Sequence, residues 1–123
     1  NDTFRNGLEF DLTTALKDEI MSRTKLRIAG KDDADTILTG KIIRVDEGAT
    51  SSNAFDNLVE SSITITVNIS LADRRTGRLL MSVNGMADTG AIIITRGETI
   101  NTGIQEAVTR LANKIVYQLE EKW

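Results

Sequence analysis

Three arginines crowd one short turn. Arg74, Arg75 and Arg78 surround Thr76-Gly77 in the run A-D-R-R-T-G-R-L-L. Guanidinium groups hold phosphates and carboxylates in bidentate fashion, so three at one point form a candidate grip for a phosphate or a carboxylate. The plain alternative is a solvated tip, screened by salt and relieved by Asp73 next door. Asp32, Asp33 and Asp35 form a small acidic cluster whose oxygens suit a hard cation. No Gly-then-Glu arrangement follows, so the cluster reads as a solvated turn and no metal site is expected. Thr13, Thr14, Ser22 and Thr24 offer hydroxyls on or near a helix, but Lys17 alone is a poor activating base. Asp18–Glu19 and Glu120–Glu121 are adjacent carboxylates. Neighbours on a helix diverge by about 100°, so neither pair forms an acid–base dyad.

The chain has no His and no Cys. That removes the commonest general base, the thiolate nucleophile and the commonest transition-metal ligands. The glycines form no phosphate loop. One Trp, one Tyr and three Phe are scattered, which leaves no stacking platform for nucleic acid. The residues therefore imply no catalytic site, no cofactor and no enzyme, and a binding role is the better expectation.

The elements that hold the arginines are clear. Apolar residues take every odd position from Ile63 to Leu71, with Thr64, Thr66, Asn68 and Ser70 between them. This two-residue period predicts a strand with one buried face. Arg75-Thr76-Gly77 reads as a three-residue hairpin loop. Leu71 then faces Met81, Ile69 faces Val83, Val67 faces Gly85, and Arg74 faces Arg78. Like charges in that last pair would be unfavourable.

Leu8, Leu12, Ala15, Leu16 and Ile20 recur at helical spacing, which predicts a helix over about 7–23 capped by Asn6. A short strand at Leu26–Ile28 and another at Thr36–Val45 follow. The second is untidy, with Leu38 and Ile42 on one face and Ile37, Ile43 and Val45 on the other; Gly40 suggests a bulge. Gly48–Glu60 is small and polar and reads as a long loop. Phe55 and Leu58 within it are candidate partner contacts. So is the short apolar run of Ile92, Ile93 and Ile94, which either packs beneath the last helix or presents an edge to another chain. Ile104, Ala107, Val108, Leu111, Ala112, Ile115 and Leu119 predict a closing amphipathic helix, with Thr102 and Gln105 as a capping box.

The expected architecture is a single α+β domain over residues 1–123. Two amphipathic helices pack on one face of a mixed, mostly antiparallel sheet of about four strands. A net charge of −3, 40% hydrophobic and 27% charged residues describe an ordinary globular domain and disfavour broad nucleic-acid binding. No apolar run approaches the length of a membrane span. The chain opens at Asn1 rather than Met and reads as a processed or trimmed piece.

Thr3-Phe4-Arg5-Asn6-Gly7-Leu8-Glu9, then Leu12-Thr13, Ala15-Leu16, Glu19 and Arg23-Thr24, resemble the start of the LptE lipopolysaccharide-assembly lipoproteins. The resemblance continues through Ala34-Asp35, Leu38, Gly40 and Ile42 and through the hairpin Thr64–Leu80. It ends in Leu111-Ala112, Ile115-Val116, Gln118-Leu119-Glu120 and Trp123. It implies a lipoprotein on the periplasmic side of the outer membrane, seated inside a large β-barrel translocon protein and in contact with lipopolysaccharide. It also implies a strand, an acylated Cys and a signal peptide upstream of Asn1, so that membrane association comes through a lipid anchor outside this chain. The same capped helix, Ala-Asp-x-x-Leu-x-Gly strand and Thr-Gly hairpin are similar to periplasmic domains of curli-secretion and penicillin-binding-protein-activator lipoproteins. That resemblance implies a secretion subunit or synthase regulator as the alternative.

Overall fold

Ile63, Ile65, Val67, Ile69 and Leu71 form the spine of the molecule, all at 3% exposure or less. The computed structural model describes residues 2–25, 28–30, 32, 34–52, 58–93, 97 and 99–122. Its elements run α1 (Asp2–Arg23), β1 (Thr36–Ser52), β2 (Leu58–Asp73), β3 (Leu79–Ile93) and α2 (Ile100–Lys122). The strands make one antiparallel sheet in the order β1-β2-β3.

The α+β expectation is met, but among the described residues the sheet has three strands, not about four. Ala91–Ile93 finishes β3 instead of forming a separate strand. Leu26 and Arg27 lie outside the described residues, and Ile28 belongs to no strand. Of the expected loop Gly48–Glu60, residues 48–52 and 58–60 are strand, and 53–57 lie outside the described residues. Gly48 pairs with Ser62 and Ala49 with Ser61. The Ser61 and Ser62 hydroxyls both donate to the Gly48 carbonyl, at 3.0 and 3.4 Å. Small hydroxyl side chains conceal a strand because the ladder is made by backbone groups that every residue carries.

Register follows the expectation for Leu71–Met81 and Ile69–Val83, then departs from it. Val67 faces Met86, not Gly85. Asn84 and Gly85 together oppose Asn68, and Gly85 sits at φ 75° with its N–H donating to Asn68 Oδ1 at 2.9 Å. This bulge inserts one residue and reverses the parity of β3. Met81 and Val83 turn to the core before it; Met86, Gly90 and Ile92 do so after it. β1 does the same at Ile43, the extra residue between the pairs Ile42–Val67 and Arg44–Thr66. Leu38 and Ile42 are thereby joined by Val45 on the core side, while Ile43 remains 41% exposed.

Both helices begin earlier than their sequence signals suggest. α1 starts at Asp2, so Asn6 lies within it and is no cap. α2 starts at Ile100. Its cap is Thr99, whose carbonyl accepts from Thr102 N–H at 3.0 Å while the Thr102 hydroxyl accepts from Thr99 N–H. The second bond is one half of a capping box, the hydroxyl reaching back to the cap N–H, three residues upstream of the expected site.

Leu8, Leu12 and Ile20 of α1 join Ile104, Val108, Leu111, Ile115 and Leu119 of α2 in one core with the odd-numbered side chains of β2. Among the described residues no polar or charged side chain is buried there. The even-numbered face of β2, with Ser62, Thr64, Thr66, Asn68 and Ser70, is half-exposed.

α2 approaches β3 closely at two glycines. A Cβ on Gly90 would run into the backbone of Gly103 and Ala107. From there a row of α2 side chains bonds the outer edge of β3. Glu106 accepts from Ala91 N–H, Arg110 donates to the Thr89 carbonyl at 3.1 Å, and Lys114 donates to the Ala87 carbonyl at 2.8 Å. Asp88 fixes the row by pairing with Lys114 at 3.1 Å. An edge whose outward groups are occupied cannot recruit another strand there.

Candidate functional site

The arginine turn is built by Asp73. Its Oδ1 accepts from the backbone N–H of Arg75 at 2.8 Å and of Thr76 at 3.3 Å. Its carbonyl accepts from Gly77 N–H, and its own N–H donates to the Arg78 carbonyl, both at 2.8 Å. Gly77, at φ 74°, supplies the left-handed residue that closes the turn. The loop therefore holds four residues, 74–77, and Asp73 faces Arg78. The expected Arg74–Arg78 pairing is corrected: an acid, not a like charge, stands across from Arg78. Asp73→Ala removes the side-chain bonds and should destabilise the hairpin by about 1 kcal/mol, read as a lower urea midpoint at unchanged slope.

Arg74 leaves the cluster. Its Nε donates to the Ala34 carbonyl at 2.6 Å and its N–H to the Asp35 carbonyl at 3.1 Å, tethering the segment before β1 to the hairpin tip. Arg75 and Arg78 remain exposed, and among the described residues neither forms a salt bridge. The sequence brings three arginines together; the fold ties back the side chain of one of them, Arg74.

Beside this tip lies a groove of about 790 Å³ between α1 and β1. Leu12, Leu16, Ile20, Leu38, Ile42 and Ile69 give it an apolar wall. Lys17 and Lys25 line it too, as do Ala34 and Asp35, the two residues that Arg74 holds. The groove therefore reaches the segment that Arg74 holds, while Arg75 and Arg78 are not among the residues that line it. Nothing in the arginine cluster's sequence signals the groove, because its wall is assembled from α1, β1 and β2.

The expected partner contacts are dispersed. Phe55 and Ile94 lie outside the described residues. Leu58 opens β2, and its side chain lies outside the described set. Ile92 is 5% exposed and packs beside Gly103 of α2, so it belongs to the core. Ile93 is half-buried at the end of β3. Among the described residues no acidic group forms a metal-binding cluster, and Asp32 and Asp35 are exposed. No described helix is long and apolar enough to cross a membrane.

The model of the lipopolysaccharide-assembly family LptE matches residues 1–119. The chain belongs to the LptE family. Membership makes it a lipoprotein-family component of lipopolysaccharide assembly and outer-membrane biogenesis, in a family whose role is transport and not enzymatic. A solved structure of similar fold is that of a protein assigned as a lipoprotein, from Caulobacter crescentus CB15. It has a TM-score of 0.59 at 17% identity, over 91% of this LptE-family chain and 80% of the other. At that identity the likeness is one of fold. No curated protein matches the chain.

Proposed function

We propose that this LptE-family chain scaffolds and plugs the β-barrel lipopolysaccharide translocon and binds lipopolysaccharide as it is assembled into the outer membrane. It does so on the periplasmic side, held by a lipid anchor upstream of the residues described. The observations that support the lipopolysaccharide reading are the exposed Arg75 and Arg78 at the hairpin tip and an apolar α1–β1 groove that reaches Ala34 and Asp35, the residues Arg74 holds. An anionic amphiphile needs both: cations for its phosphates, and apolar surface for its chains. The barrel reading is supported by family membership and by the half-exposed Ser/Thr/Asn face of the sheet. Such a face suits the polar interior of a large barrel. Partner contacts are assigned to Phe55, Leu58 and the Ile92–Ile94 run, of which Ile92 acts only through the core.

The double variant Arg75→Ser/Arg78→Ser tests the ligand role. Displacement of a fluorescent lipopolysaccharide probe at low salt should weaken about tenfold, the effect of roughly 1.4 kcal/mol from two exposed charge contacts. The Arg74→Ser variant should weaken it less, because that side chain is already engaged. Unchanged binding by the double variant removes the tip from the site. Co-purification of the tagged full-length protein with the barrel tests scaffolding separately, and failure to retain the barrel under mild detergent overturns that part.

A further inference from the structure

The seal along β3 stops short. The α2 row that bonds the strand continues at the same four-residue spacing, Glu106, Arg110, Lys114 and then Gln118, and the first three occupy outward groups of Ala91, Thr89 and Ala87. Among the described residues Gln118 forms no side-chain hydrogen bond, and it lines a hollow together with the Gly85 bulge. Between them lies a dish of about 570 Å³. Its strand side is Val83–Ala87; its helix side includes Asn113, Tyr117 and Gln118.

The outward edge of β3 runs past this gap, occupied by α2 after the bulge and not before it. Ala87, Thr89 and Ala91 lie opposite the even-numbered β2 residues Thr66, Thr64 and Ser62, and their backbone groups point outward to α2. Ser82, opposite Ser70, holds the equivalent place ahead of the bulge. By the alternation of an antiparallel ladder its N–H and C=O point outward as well. On the helix side, among the described residues, the amides of Asn113 and Gln118 form no side-chain hydrogen bond. Each such amide offers donors and an acceptor, the complement of a peptide unit. Tyr117, at 55% exposure, places apolar surface on the helix side of the dish.

Charge selects among extended peptides. The charged residues that line the dish are Arg23 and Lys114, both cationic. Their present partners are Glu19 and Glu120 for Arg23 and Asp88 for Lys114, and the two side chains remain 38% and 51% exposed. Exposed pairs of this kind exchange partners at small expense. We propose that the dish accepts an extended acidic peptide, which pairs with β3 from Ser82 to Met86 as an added strand while Asn113 and Gln118 bond its outer side. Backbone pairing supplies affinity and the cations supply preference, the usual division in strand addition.

The experiment pans a random library of blocked octapeptides on the folded chain, with counter-selection on Ser82→Pro. Proline is tolerated at an edge but removes the outward N–H. Selected sequences should be rich in Asp and Glu. A synthetic copy of one of them should slow hydrogen exchange at the Ser82 amide. Its affinity should fall about tenfold in Asn113→Ala/Gln118→Ala, a surface variant that keeps the fold, and again in about 0.5 M salt. Absence of enrichment, basic or neutral winners, or binding that leaves Ser82 exchange unchanged overturns the proposal. So does a response of the Asn113 and Gln118 amides to maltotriose in place of peptide, which would make the dish a saccharide site.

Discussion

A Gly90→Ala chain should lose about 3 kcal/mol of stability, the upper range for overpacking a tight interior. For a domain of this size that is a fall of roughly 10 °C or more in Tm. Gly90 has ordinary φ, so backbone strain is not the reason. The added methyl would occupy the space of the Gly103 carbonyl and press on the Ala107 nitrogen, both parts of the α2 backbone. Neither can move without shifting the helix off the sheet. Gly103→Ala is the control. Its methyl would meet the Ile92 and Ile63 side chains at 2.6 and 3.0 Å, and side chains yield more readily than backbone. Alanine also gains about 1 kcal/mol of helix propensity at position 103. The net loss there should be smaller than at Gly90, about 1–2 kcal/mol. Thermal melts of both variants decide the matter: equal losses would mean that α2 does not rest on β3 through Gly90.

Ile65→Ala should cost about 3–4 kcal/mol, and Thr66→Ala next to it about 1 kcal/mol. Ile65 is fully enclosed, in one core with side chains of both helices. Truncation removes three buried carbons and leaves a void that the surrounding close-packed core fills only in part. Thr66 points to the opposite, half-exposed face, where alanine loses mainly the strand preference of a β-branched residue. Urea titration should show the same slope for both variants with well-separated midpoints. Similar midpoints would mean that β2 does not present one dry face and one wet one.

These results would test a pattern that is directly legible in the sequence. The alternation from Ile63 to Leu71 is visible because the central strand has no interruption in that span. Its neighbours are harder to read, and for one reason. β1 and β3 each carry a bulge, at Ile43 and at Gly85, and a bulge reverses which parity faces the core. Simple alternation therefore assigns Val45 and Ile92 to the wrong side. The glycine at 85 is a signal in hindsight, since an isolated Gly within a strand often marks such a site.

The tip was legible in its residue types but not in its pairing. Asp73 two residues before Arg75 carries the signature of a side-chain-capped turn, and counting it makes the loop four residues long. Arg74 could not be separated from its neighbours in the sequence, because the carbonyls it bonds, at Ala34 and Asp35, lie 40 and 39 positions away. The groove beside the tip is a product of tertiary packing alone. The helix stripes, by contrast, were read correctly in their apolar faces, while their beginnings were misplaced where polar caps competed.

The row formed by Glu106, Arg110 and Lys114 has a consequence for how the chain comes into being. β3 precedes α2 in the polypeptide, so during synthesis or export the strand exists before its cover does. Over that interval Ala87–Ala91 is an adhesive ribbon, open to any neighbouring extended chain. The late arrival of the helix ends that exposure, and it does so with long, charged side chains that stay soluble while they wait. Escort is thus needed for a limited time only, between the emergence of one element and the docking of the next.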